Sequence, residues 1–224
     1  MLVTSRSAQE YRAMFDLTEA ECVGRAVLDC CAGGASFVAE CGAVAVDPAY
    51  AEGAVALAEQ VRAGLRDGGR MIDDHSESFD WSWYGRPERR AELRTAAALR
   101  FLHDLRLRPG RYVAGALPEL PFADRSFDLV LCSHLLFSWS NVLDEKWHLA
   151  ALRELVRVTR GQVRVFPLVV QGTGAAVPFL GTLRAALAAD GLRTRLALVP
   201  YRFQRGAGEM LVVEREQVVA NAEP

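Results

Sequence analysis

The stretch Gly115-Ala116-Leu117-Pro118-Glu119-Leu120-Pro121-Phe122-Ala123-Asp124-Arg125-Ser126-Phe127-Asp128-Leu129-Val130-Leu131-Cys132-Ser133-His134 leads into an apolar run, Phe127 to Cys132. Such a run fits a strand covered on both faces rather than one with a wet side. Working outward, similar runs occur at Ala26-Val27-Leu28-Asp29-Cys30, at Val44-Ala45-Val46-Asp47 before Pro48, and at Gln162-Val163-Arg164-Val165-Phe166-Pro167. Helical patterns separate them. Ser36 to Glu40 reads as one or two turns closed by Gly42, and Tyr50, Ala54, Leu57, Val61 and Leu65 recur at spacings of three and four. Leu149, Leu152, Val156 and Thr159 form a further stripe, and Val177, Leu180, Leu183 and Leu187 another, ended by Asp190-Gly191. Strands alternating with helices predict an α/β fold whose sheet is mostly parallel with helices on both faces. The last two runs, Thr194 to Val199 and Met210 to Val213, are joined by the polar turn Gln204 to Gly208 and predict a terminal antiparallel hairpin.

One segment is too long for a plain crossover, which needs about a dozen residues. From about residue 67 to 110 the chain carries Asp73-Asp74-His75-Ser76-Glu77-Ser78-Phe79-Asp80-Trp81-Ser82-Trp83-Tyr84-Gly85, then a helix opened by Pro87 with Leu93, Ala97, Phe101 and Leu105. It reads either as an insertion folded over the ligand end of the sheet or as an extra helix capping the sheet edge. The 224 residues are expected to make one domain, 1–224, with this insertion between the second and third strands.

Open parallel sheets bind ligands beyond the carboxyl ends of their strands. The first strand ends in Asp29-Cys30-Cys31-Ala32-Gly33-Gly34-Ala35, and the second ends in Asp47, eighteen residues after Asp29. Small residues let the backbone approach a ligand, and a strand-end acid can accept both hydroxyls of a ribose. A full G-x-G-x-x-G is absent, since only Gly33 and Gly34 are glycines, which weakens a direct pyrophosphate cradle.

The Gly115–His134 stretch closely resembles the "LPF-D-SFDLV" segment of class I S-adenosylmethionine-dependent methyltransferases of the small-molecule type. Taken with Val27-Leu28-Asp29, Asp47-Pro48 and Leu152-Arg153-Glu154-Leu155-Val156-Arg157-Val158, the likeness runs in register from about residue 23 to 170. It implies a Rossmann-like seven-stranded sheet and S-adenosylmethionine as cofactor. It also implies that Asp29, Cys31, Gly33 and Gly34 pass under the methionine part, with Gly33 closest. Asp47 would hold the ribose hydroxyls, Pro48 would flank the adenine, and Ala116 and Leu117 would border its other face. Ser133 and His134 would face the sulfonium and the acceptor. Tyr11, within Tyr11-Arg12-Ala13-Met14-Phe15, resembles a subgroup of these enzymes and joins the cofactor set. Cys31 stands where the family usually has its first glycine, Ala35 replaces the last, and the acid many members carry near Ala116 is missing.

Methyl transfer is an in-line displacement that needs alignment and exclusion of water, with no enzyme nucleophile. An acceptor hydroxyl or amine must lose a proton, and histidine suits that task. His134, at a strand end, is a candidate base with a structural role as the alternative. His75, beside Glu77 in the aromatic insertion, is a second candidate, whereas His103 and His148 read as surface or packing residues. Trp81, Trp83 and Tyr84 offer a wall for a flat or amphipathic acceptor, or an anchor for the insertion. Arg202, in an aromatic and basic turn, is a candidate contact for an acidic acceptor or an exposed loop residue.

Composition narrows the function. Hydrophobic residues make up 51% and charged residues 24%, which excludes a disordered tail. The formal charge of −2 gives no field for nucleic acid or anionic lipid, although Lys146 is the only lysine among 26 basic residues. That arginine excess reads as coding bias. The N-terminus lacks a signal-like apolar core and no run is long enough to span a bilayer, so a cytoplasmic enzyme without a membrane partner is expected. Cys22, Cys30, Cys31, Cys41 and Cys132 lack CxxC spacing and read as reduced, partly buried thiols rather than a metal site. The resulting expectation is methyl transfer to a small molecule, in specialised metabolism. Its rivals are a non-catalytic cofactor binder, a nicotinamide-dependent oxidoreductase and an RNA methyltransferase.

Overall fold

A computed structural model describes residues 3–215. Seven strands, β1 (Val27–Cys30), β2 (Val44–Val46), β3 (Tyr112–Val113), β4 (Phe127–Ser133), β5 (Thr159–Phe166), β6 (Leu192–Leu198) and β7 (Glu209–Arg215), form one sheet. Their order is β3-β2-β1-β4-β5-β7-β6. The first five strands are mutually parallel, and β7 runs antiparallel between β5 and β6. The chain leaves β1 towards β2 and β3, then returns to place β4 on the other side of β1. The crevice beyond the carboxyl ends of β1 and β4 is therefore the topological switch point of the sheet.

Six helices cover the sheet: α1 (Ala8–Phe15), α2 (Phe37–Cys41), α3 (Ala54–Asp74), α4 (Pro87–Leu107), α5 (Glu145–Val158) and α6 (Leu180–Ala189). Strand side chains alternate between the two faces. Leu129 and Leu131 of β4 join Tyr11, Phe15, Phe37, Leu57, Val61 and Phe101 on one face. Val130 and Cys132, from the same strand, join Leu152, Leu155, Val163, Leu183 and Leu187 on the other. Of the helical stripes read from sequence, Leu57, Val61, Leu152, Val156, Leu183 and Leu187 are buried, whereas Ala54 is exposed, Tyr50 and Val177 precede their helices and Thr159 opens β5. Residues 211–213 of β7 are buried, whereas β6 exposes Leu198, as an inner and an edge strand should.

Two boundaries differ from expectation. The third strand is only Tyr112–Val113, too short for an alternating pattern to mark it. Residue 67 does not begin an irregular stretch, because α3 continues through Gly68 to Asp74. Gly64 and Gly68 interrupt helix propensity, but both lie on the buried stripe of α3 with Leu57, Val61 and Ile72. Tertiary packing outweighs a propensity cost of about 1 kcal/mol per glycine. None of the described helices is long and apolar enough to cross a membrane.

Where β4 meets β5, Arg160 and Gly161 together oppose Asp128, a bulge in the ladder. A Cβ on Gly161 would lie 2.0 Å from the Asp128 carbonyl oxygen. Gly161→Ala must push the two strands apart and should destabilise the fold by about 1–3 kcal/mol. Urea denaturation should show a lower midpoint with an unchanged slope; an unchanged midpoint would mean that the bulge yields freely.

Candidate functional site

Four segments converge at the carboxyl ends of β1, β2 and β4. Asp29 is fully buried in β1, on the face that carries α1. Its Oδ1 accepts a hydrogen bond from the Tyr11 hydroxyl at 3.0 Å, while Oδ2 is buried without a partner. Burial pushes the Asp29 carboxyl well above its usual range, against the Tyr11 hydrogen bond. Tyr11 is held in place by stacking on Phe37, with ring centroids 4.8 Å apart. At the end of β2, the Asp47 carboxylate accepts from the amides of Gly33 and Ala49, both at 2.9 Å. Burial raises this carboxyl too, opposed by those two amides. The Tyr50 hydroxyl closes the unit by donating to the Gly33 carbonyl at 2.8 Å.

The backbone at these strand ends is strained. Cys31 has φ +61° and His134 has φ +57°, both in the left-handed region that disfavours side chains. Such residues persist where the surroundings hold them, often at functional sites. Gly33, at φ +56°, meets that requirement without strain. Residues 3–6 lie across the turn: the Gly34 amide donates to the Thr4 carbonyl at 3.0 Å and the Ser36 amide to that of Arg6 at 2.9 Å. A Cβ on Gly34 would fall 2.7 Å from the Ser5 hydroxyl, so the glycine is needed for this close approach.

Above the strand ends lies a buried polar knot. Ser7 caps α1, its hydroxyl accepting from the Glu10 amide at 3.2 Å while Glu10 Oε2 accepts from the Ser7 amide at 2.7 Å. Glu10 Oε1 accepts from Arg94 of α4 at 2.8 Å and from the Tyr84 hydroxyl at 2.5 Å, and Tyr84 and Tyr201 share a hydrogen bond of 2.7 Å. Burial pushes the Glu10 carboxyl up, but Arg94, Tyr84 and Ser7 outweigh it and hold the group below its usual range.

The family model for a methyltransferase domain matches residues 90–166, from within α4 through β5. That match and the seven-stranded topology with its reversed terminal strand agree. Over those residues the chain is similar to a methyltransferase domain. An uncharacterised protein of Methanocaldococcus jannaschii is 23% identical to it over 220 residues, 96% of each chain. Magnesium protoporphyrin IX methyltransferase of Synechocystis is 14% identical, with a TM-score of 0.47 over 93% of this chain and 81% of that one. A methyltransferase of Aquifex aeolicus is 13% identical, with a TM-score of 0.44 over 91% of both chains.

The donor set at the strand ends fits S-adenosylmethionine, the cofactor that this likeness implies. S-adenosylmethionine offers a ribose diol, an α-ammonium group and an α-carboxylate. Asp47 keeps acceptor capacity after its two amides, and the unpartnered Asp29 Oδ2 suits an ammonium group. Arg6 donates to Thr4 Oγ1 at 2.7 Å but leaves its buried Nε–H without a partner, and suits a carboxylate.

The other candidates separate into two groups. Ser133 and His134 sit together at the end of β4, with Ser133 Oγ 2.8 Å from His134 Nδ1. Burial holds the His134 imidazole well below its usual range, and the charges of Arg6, Arg94 and Arg90 add to that. Tyr84 is buried in the knot, and Trp83 packs on Tyr201 with centroids 5.0 Å apart. Trp81 packs on Phe203 at 5.3 Å and donates to the Ser76 carbonyl, so both tryptophans also anchor the insertion to the hairpin. Leu117 is buried, whereas Ala116 and Pro48 are exposed near the ends of β3 and β2.

His75, Glu77 and Arg202 are not brought to the strand ends. His75 is exposed at the end of α3, bonded to the Met71 carbonyl, and Glu77 is exposed nearby. Arg202 spends its guanidinium on the carbonyls of Val199 and Tyr201. His148 is fully buried and accepts from the Phe137 amide at 3.0 Å, a packing role, and His103 is exposed. All five cysteines are free.

Glu10 and Arg6 escaped the sequence reading, in which Arg94 fitted a solvated helix face and Tyr201 belonged to the aromatic and basic turn. The Ser7-x-x-Glu10 capping box was a usable signal for Glu10, and Arg94 shares a helical stripe with Ala97, Ala98 and Phe101.

Because the folded state holds the Asp29 proton more tightly than the unfolded chain, Asp29 should cost stability as pH rises. The cost begins near the unfolded value of about 3.9 and grows up to the raised folded value. Asp29→Asn removes this titration, so its stability relative to wild type should improve as pH rises from about 4 and level off once the raised folded value is passed. A constant difference across that window, measured by urea denaturation, would refute the assignment.

Proposed function

We propose that this methyltransferase moves the methyl group of S-adenosylmethionine to a small-molecule acceptor, in specialised metabolism and in the cytoplasm. The reading rests on one observation: Asp29 and Asp47, at adjacent strand ends, flank a glycine turn at the switch point of the sheet, where a nucleoside-bearing ligand is expected. When bound, the cofactor supplies a methyl carbon made electrophilic by its sulfonium. Asp47 takes the ribose hydroxyls, Asp29 the ammonium group, and Gly33 and Gly34 the close backbone approach, with Cys31 setting the turn.

His134 takes the proton that the acceptor loses. The Ser133 hydroxyl points towards Met14 Sδ, leaving Oγ free to accept from His134 Nδ1–H. That tautomer exposes Nε2 as the base. Tyr84, Trp83 and Tyr201 supply apolar walls that exclude water from the reacting atoms.

A small acceptor is favoured over RNA because the formal charge is −2 and several exposed arginines are paired with acids. Arg86 meets Glu92 at 2.8 Å, Arg153 meets Asp190 at 2.8 Å, and Arg160 meets Asp128 at 2.7 Å.

Calorimetric titration should show S-adenosylhomocysteine binding to the wild type, at least tenfold weaker in Asp47→Ala, and no binding of NAD(H). Binding of NAD(H) instead would replace the reading with an oxidoreductase. Once an acceptor is in hand, His134→Ala should lower kcat by about 10²–10⁴ with S-adenosylhomocysteine affinity unchanged. Unchanged turnover would remove His134 as the base.

A further inference from the structure

Three guanidinium groups surround the acceptor side of the strand ends, and one acid answers them. Arg94 is paired with Glu10, but neither Arg6 nor Arg90 has an ion-pair partner among the described residues. The Nε–H groups of Arg6, Arg90 and Arg94 are all buried and make no hydrogen bond. Arg90 lies one helical turn before Arg94 on α4, with its guanidinium 5.1 Å above the Phe203 ring. Phe203 packs against Tyr84, Tyr84 bonds to Tyr201, Tyr201 packs on Phe166, and Phe166 packs on His134. The arginines therefore border one continuous aromatic surface that reaches the candidate base.

No other charge balances them. Burial pushes the Asp29 carboxyl, and the phenols of Tyr11, Tyr84 and Tyr201, towards their neutral forms. Burial together with the charge of Arg94 drives the Arg90 guanidinium down to about 10, the mark of uncompensated charge. Arg6 and Arg90 are half-buried; an unpaired cation partly withdrawn from water is costly, and such a group is retained where a ligand completes it. The cofactor's one carboxylate answers Arg6 and leaves Arg90 without a partner. Its sulfonium and ammonium groups outnumber its one carboxylate, so its arrival adds positive charge.

We propose that the acceptor is an acid, a small molecule bearing a carboxylate or phosphate, whose anionic group is bound by Arg90, while its apolar part lies along Phe203, Tyr84 and Tyr201. This rests on the methyltransferase reading and narrows its substrate class. Arg90 presents a planar fork suited to two oxygens of one anion. An anion there also lessens the repulsion on His134, so the base gains strength when the acceptor is in place.

The test titrates benzoate and inorganic phosphate, with benzamide as the uncharged control, into the protein saturated with S-adenosylhomocysteine. Wild type should bind at least one of the two anions and not benzamide. Arg90→Met should weaken that binding at least tenfold, with S-adenosylhomocysteine affinity changed by less than threefold. Arg90→Lys, which keeps the charge, should fall between the two and covers the case in which Arg90→Met does not fold. Benzamide binding as tightly as benzoate, or no anion binding by wild type, overturns the proposal. A parallel loss of S-adenosylhomocysteine affinity in Arg90→Met also overturns it, because the guanidinium would then serve the carboxylate of the cofactor. Failure of wild type to bind S-adenosylhomocysteine at all sinks the underlying reading instead.

Discussion

The carboxylate of Glu10 is the constraint around which the ligand end of the molecule is arranged. It is fully buried, and four groups from three separate parts of the chain meet it: the Ser7 amide and hydroxyl, the Tyr84 hydroxyl and the Arg94 guanidinium. Taking such a charge out of water costs several kcal/mol, recovered only with good geometry and filled lone pairs. Each donor therefore fixes an element. Ser7 fixes the start of α1, Tyr84 fixes the loop before α4, and Arg94 fixes α4 itself. Through Tyr84 the same network reaches Tyr201 and so the chain between β6 and β7.

That arrangement explains why the segments bordering the site lie far apart in sequence. The sheet alone supplies the strand ends of β1, β2 and β4, with Asp29, Asp47 and His134. The acceptor side is built from what the Glu10 network ties down. Tyr11 links the two layers, since it belongs to the same short helix as Glu10 and donates to Asp29. Residues 3–6 extend the link by lying across Gly33 and Gly34. The N-terminal segment is thus built into the strand ends rather than appended to them.

The strand runs and helical stripes were legible because burial on both faces of a parallel sheet leaves continuous apolar strands, and burial on one face of a helix leaves a period near 3.6. Asp29, Gly33 and Asp47 were legible for the same reason, since they sit at strand ends whose positions the runs mark. Tyr112–Val113 was not, because two residues carry no period. The continuation of α3 past Gly68 was hidden because the packing that tolerates a glycine is a property of the partner surface. Arg6, Arg90 and Arg94 were invisible as a group. They come from two segments more than eighty residues apart, and their sequence neighbours include acids, such as Glu88 and Glu92, that read as a solvated face. Only the fold separates the arginines that turn inwards from Arg86, which pairs with Glu92.

The most direct test of the account is where S-adenosylhomocysteine touches the protein. Hydrogen exchange of the full chain, with and without this ligand, should show slowed exchange confined to residues 3–7, 29–36, 47–50 and 133–134. Protection that bypasses 29–36 and 47–50, or none at saturating ligand, would contradict the placement of the cofactor at the switch point of the sheet.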